Sequence, residues 1–141
     1  MANWAVWALL SAFFAALTAI LAKLGLRGVD SDYATLIRTF LIFWALLGFV
    51  VLTGKWSDPL SLPGSTWLFL GLSALATGAS WVAYFRALQL GEAHRVAPVD
   101  KLSVVLVALL AMLFLGERPS LREWMSITLV TLGVLVLALK R

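Results

Sequence analysis

The chain has 141 residues, 62% of them hydrophobic and 13% charged, with a mean hydropathy of +0.99. Soluble domains average about 45–50% apolar and about 25% charged residues, and a chain this short cannot bury so much apolar surface in one water-soluble core. The solvent along most of its length is therefore lipid. It has no cysteine and a single histidine, so no disulfide, metal site or cofactor is expected. The net charge of +4 is spread over short segments, which argues against a nucleic-acid patch and fits basic residues flanking membrane spans.

The first apolar run extends from Asn3 to about Ala22. It opens without the Lys or Arg of a secretory signal, so it reads as a retained span. The segment GLRGVDSDY (25–33) then supplies two glycines and an Asp able to cap the next helix. A second run covers 34–53, and the Pro- and Gly-bearing loop GKWSDPLSLPGS (54–65) separates it from a long third run, 66–90. LGEAHR (90–95) makes a tight hairpin into the fourth run, 96–115, and GERPSLREW (116–124) a second one into the fifth, 121–139. The closing Lys140–Arg141 lies just outside the membrane. A bilayer core takes about 20 helical residues. The pattern thus predicts an all-α integral membrane protein, a single domain over 1–141 with five transmembrane helices. Almost no mass remains outside the bilayer, and no cluster of His, Cys or carboxylates supports a membrane enzyme.

Helix contacts in lipid favour small residues four apart. Ala8, Ala12 and Ala16 form such a stripe on the first span, and Gly71, Ala79, Ala83 and Ala87 another on the third. Both read as helix packing, with subunit association the alternative. Five spans place the termini on opposite faces. The face of the N-terminus holds Lys55, Arg118 and Arg122, and the opposite face Arg27, Arg95, Lys140 and Arg141. Adding the span-edge residues Lys23, Arg38 and Arg86 favours N-out, C-in by the positive-inside rule, and the small bias also fits insertion in both orientations.

Ionisable residues within spans are costly, about 2.5–3.5 kcal/mol at a span centre. Lys23 closes the first span and Arg38 lies one turn into the second, and both can extend toward the headgroups. Arg86 leans deeper into the bilayer, because helical side chains tilt toward the N-terminus, and so calls for a protein or ligand partner as much as for solvent. Trp81 and Tyr84 share one face of the third span, which Leu88 continues. Asp100 and Lys101 admit two readings. With Pro98 as the first helical residue they mark a helix start, where the helix dipole favours Asp100. With a start near Ala93 they lie inside the span and line a cavity. Neighbouring helical positions point about 100° apart, so neither charge is expected to find a partner within its own helix. Ser103 adds a polar group to that turn. Asp100 is the one carboxylate expected near a span interior.

The stretch ALQLGEAHRVAPVDKLSVVLVALLAMLFLGERPSLREWMSITLVTLGVLVLAL (87–139) resembles the second half of an EamA domain, the repeat of the drug/metabolite transporter superfamily, and FFAALTAILAKLGL (13–26) resembles its opening helix. The resemblance covers essentially the whole chain and implies one five-helix repeat in a plasma (bacterial inner) membrane. Typical members carry two repeats in inverted orientation, whereas this chain carries one. The resemblance therefore implies a homodimer, possibly antiparallel in arrangement, with a solute path between repeats lined mainly by the first, third and fourth spans. Lys23, Trp81, Tyr84, Arg86, Asp100, Lys101 and Ser103 lie on those spans. Small multidrug transporters of similar size use a Glu in their first span; this first span has no acidic residue, which argues against proton-coupled export of cationic drugs by that device. The expected function is transport of small organic metabolites, carboxylate-bearing or zwitterionic, by alternating access. A non-transporting scaffold subunit is the alternative.

Overall fold

The computed structural model describes residues 4–139; the expected span start at Asn3 and the tail Lys140–Arg141 lie outside them. Among the described residues there is no strand, and five helical segments are long and apolar enough to cross a membrane. They are Trp4–Gly25, Ser31–Leu52, Gly64–Leu90, Ala93–Leu115 and Leu121–Leu139. The protein is an all-α, multi-pass integral membrane protein, as the hydropathy predicts. The chain forms two compact units, residues 1–90 and 91–141.

Unit 1 holds α1 (Trp4–Gly25), α2 (Ser31–Leu52) and α3 (Gly64–Leu90). α2 starts three residues before the expected Ala34 because Asp30 caps it. The Asp30 carboxylate accepts from the backbone N–H groups of Asp32 (2.9 Å) and Tyr33 (3.0 Å), two of the donors a helix start leaves unpaired. α2 stops at a Schellman turn. Gly54 adopts φ 65°, its N–H donates to Val51 O (3.1 Å), and the Lys55 N–H donates to Val50 O (3.1 Å). Between α2 and α3, Pro59–Ser61 forms one 3₁₀ turn capped by Asp58, and the Trp67 indole ties it to α3 by donating to Pro59 O (3.1 Å). α3 has 27 residues, about 40 Å of helix against a hydrocarbon core of about 30 Å, so it must tilt or protrude.

Both α1 and α2 pack on α3. The buried residues of the unit are Ala19, Leu26, Ser31, Thr35, Phe85 and Leu88. All lie toward one end: the last turns of α1, the first turns of α2 and the last turns of α3. Thr35 satisfies its buried hydroxyl by donating to Ser31 O (2.7 Å). Toward the other end the apolar side chains point outward, as a lipid solvent permits. The small-residue positions Ala8, Ala12, Ala16, Gly71, Ala79 and Ala83 are exposed too, so those stripes do not serve packing inside the unit.

Unit 2 holds the fourth and fifth spans. The fourth is not one regular helix. It comprises α4 (Ala93–Asp100), a turn at Lys101–Leu102, α5 (Ser103–Leu110) and a π-helical turn, Ala111–Leu115, that ends on Gly116 at φ 69°. The fifth span, α6 (Leu121–Leu139), packs against α4 and α5. A capping box opens it. The Ser120 N–H and hydroxyl both donate to the Glu123 carboxylate (2.6 and 2.8 Å), and the Glu123 N–H donates back to Ser120 Oγ (3.4 Å).

Candidate functional site

In unit 1 the charged side chains converge where the three helices pack. Arg86, late in α3, donates from Nε and Nη2, one edge of its guanidinium, to the two carboxylate oxygens of Asp32 in the first turn of α2; the Nε–Oδ1 contact is 2.9 Å. The guanidinium fork matches the carboxylate and fixes α3 against α2 in register. Asp100 is therefore not the one carboxylate near a span: Asp32 enters a span because Asp30, not a later residue, caps α2. Lys23, near the end of α1, donates its ammonium to Leu88 O on α3. This ties α1 to α3 and departs from the simple extension into headgroups that its place at a span end implied. Gln89 donates to Val29 O (2.9 Å) and so holds the α1–α2 turn against the end of α3.

Below this layer, Arg38 of α2 lies across two rings of α3. Its guanidinium carbon is 4.8 Å from the Trp81 centroid and 5.0 Å from the Phe85 centroid, within cation–π range. Trp81 is half-buried and Leu88, further along its face, is fully buried. Tyr84 packs edge-on against Phe85, centroids 6.1 Å apart. Arg38 also lines a cavity of ≈ 410 Å³ bounded by α1, the α1–α2 turn, α2 and Phe85 of α3. Thr18 is the one other polar side chain in that lining; Leu21, Ile37 and Leu41 are typical of the rest. Arg38 was expected to reach the headgroups. It turns toward α3 instead, because two aromatic faces four residues apart on α3 offer a cation more than the apolar surroundings do. The ring pair is visible in the sequence, but its pairing with Arg38 depends on the α2–α3 register.

In unit 2, α4 begins at Ala93, so Pro98 lies inside it and Asp100 and Lys101 lie within the span and not at its start. Pro98 has no N–H to give to His94 O. After it the backbone shifts to bonds from residue i to i−3: Lys101 to Pro98 O (3.0 Å), Leu102 to Val99 O (3.0 Å), Val104 to Lys101 O (3.0 Å) and Val105 to Leu102 O (3.1 Å). The span is interrupted eight residues in, about 12 Å along its axis. This break corrects the expectation that neither charge has a partner within its helix. Lys101 Nζ lies 3.4 Å from Asp100 Oδ2. Lys101 follows the last residue of α4, at φ −71°, ψ −5°, and its long side chain reaches back to the Asp100 carboxylate. Ser103 opens α5 and is exposed. The candidate residues thus fall into two groups, Lys23, Trp81, Tyr84 and Arg86 in unit 1 and Asp100, Lys101 and Ser103 in unit 2.

Five apolar spans, charges tied across helices and a span interrupted at a charged pair define a polytopic membrane protein. The chain matches the EamA-like transporter family over residues 2–139 and belongs to that family. A Sinorhizobium protein described as an uncharacterized transporter in the cobO 3′ region is 57% identical over 136 residues, 96% of each chain. The probable 4-amino-4-deoxy-L-arabinose-phosphoundecaprenol flippase subunit ArnE of Yersinia pestis (strain Pestoides F) is 32% identical over 73 residues, 51% of this chain and 61% of that protein. The corresponding subunit of Yersinia pseudotuberculosis (strain IP 31758) aligns equally. No solved structure matches.

Proposed function

We propose that the chain moves small organic solutes across a bacterial inner membrane by alternating access, as a dimer of five-helix repeats. The observation that carries this reading is the fourth span's interruption at Asp100–Lys101. Irregular backbone at membrane depth is tolerated where it lies in protein or lines a water-filled cavity, and transporters of inverted-repeat build place solute sites at such breaks. The charged pair makes contact with bare lipid costly there. One five-helix repeat supplies half of a two-repeat path, and the word "subunit" in the name of the ArnE relatives supports action in company with a second chain. In this reading Lys23, Trp81, Tyr84, Arg86, Asp100, Lys101 and Ser103 border the path.

The chain has no cysteine, so a single Ser103→Cys replacement is a reporter without background. In sealed vesicles of each orientation, a membrane-impermeant maleimide is expected to label position 103 on nearly all chains from either face, whereas a static antiparallel dimer would expose at most half of them to each. Labelling from neither face, or from one face alone in every vesicle preparation, would favour a static scaffold.

A further inference from the structure

The cations of unit 1 differ in how they are satisfied. Arg86 is held by Asp32 and Lys23 by Leu88 O. Arg38 is half-buried, lies about 10 Å along α2 from Ser31, and makes no ion pair with a carboxylate among the described residues. Its contacts with Trp81 and Phe85 engage the guanidinium face. A guanidinium directs its five N–H donors outward in its own plane, so ring stacking leaves the edge that binds oxyanions. Arg38 also borders the ≈ 410 Å³ cavity, whose volume falls in the range of small-molecule sites. No Asp or Glu lines that cavity, so no carboxylate in it would pair with an ammonium group. The remaining lining is almost wholly apolar. Its charge and its polarity together describe one kind of guest: an anionic head on an apolar body.

We propose that this cavity binds an amphiphilic organic anion, with the carboxylate or phosphate head on the edge of Arg38 and the apolar body between α1 and α2. The same cavity then selects anions over zwitterions and cations as the transported class, a step that rests on the transport reading, whereas the binding itself does not. Such a head belongs to a free organic acid or to an anionic lipid, and the two are separable by experiment. Replacing part of the water around the anion by a fixed cation in a largely apolar, open-sided pocket is the source of the selectivity.

The test uses the purified protein in nanodiscs of zwitterionic lipid, with binding measured by calorimetry. Hexanoate, hexanesulfonate, hexanamide and hexylammonium share one apolar body and differ in the head. The two anions are expected to bind at least about tenfold tighter than the amide or the ammonium, the factor that one charge-assisted hydrogen bond provides. This comparison needs no variant and is immune to misfolding. Arg38→Gln should remove the preference for the anions, and Arg38→Lys should keep part of it. Loss of hexanoate binding when phosphatidylglycerol is added to the discs assigns the site to a lipid head; undiminished binding assigns it to a free acid. Equal binding of hexanoate and hexanamide, no binding of either anion, or an unchanged preference in a folded Arg38→Gln would overturn the proposal. Failure of anion binding alongside labelling of position 103 on nearly all chains from either face would discard this site and leave transport standing.

Discussion

The two units handle intramembrane charge in opposite ways. In unit 1 the partners come from different helices: Arg86 reaches from α3 to Asp32 of α2, and Lys23 from α1 to Leu88 O of α3. Each such contact fixes one helix against another. In unit 2 Asp100 and Lys101 are sequence neighbours and pair across a broken turn, 3.4 Å apart, which holds nothing but that turn. The first arrangement makes a rigid joint at one end of three continuous helices. The second leaves an irregular, interrupted point inside a span. An alternating-access device needs both a body that keeps its shape and an element that bends. In the proposed transport cycle unit 1 would be the body and unit 2 would carry the element that bends.

The largest effect is expected on breaking the rigid side. Arg86→Leu leaves Asp32, in the first turn of α2, without its counter-ion and unties α3 from α2, so the amount of folded protein in the membrane fraction should fall. Combining it with Asp32→Leu should restore most of the yield, because removing both charges removes the penalty. The interrupted side should respond differently. Asp100→Asn and Lys101→Gln should leave the thermal unfolding midpoint in detergent nearly unchanged. Transport per folded molecule should fall by about tenfold or more, the factor set by about 1.4 kcal/mol of lost interaction. Wild-type rates in both variants would make the pair a feature of the helix turn only.

Pro98→Ala sharpens the contrast further. It returns an N–H donor to the ladder and favours a continuous helix, so stability should rise, by up to about 3 kcal/mol, while transport slows. Differential scanning and flux measured on the same preparation would show the two changes in opposite directions. The smallest effect falls on Asp30→Ala, which removes the α2 cap and should cost about 1 kcal/mol without changing solute preference, as read from the unfolding midpoint and the binding series.

The five spans were legible because hydropathy sums over some twenty residues and survives errors at either end. The candidate site was legible in part. Trp81, Arg86, Asp100 and Lys101 stood out as charged or aromatic residues in apolar runs, but their partners did not. Asp32 was hidden by the expected α2 start at Ala34, three residues past the start that the Asp30 cap sets. Arg38 read as a headgroup contact because its rings belong to α3, and no local pattern fixes the α2–α3 register. Pro98 was recognised, but its consequence turned on where α4 begins. The Arg95 and Val96 N–H groups close the first turn onto Glu92 O, at 2.9 and 3.0 Å, which places Pro98 inside the helix and breaks the ladder after it.

In the proposed mechanism an anionic solute crosses the membrane through the Arg38 cavity. Uptake of radiolabelled hexanesulfonate into proteoliposomes tests it most directly, since a sulfonate keeps its charge and does not leak across as a neutral acid. Wild-type protein is expected to give saturable uptake that hexanoate competes away and hexanamide does not, with Arg38→Gln near the level of protein-free vesicles. Wild-type uptake no faster than in protein-free vesicles, or equal rates in wild type and a folded Arg38→Gln, would contradict it.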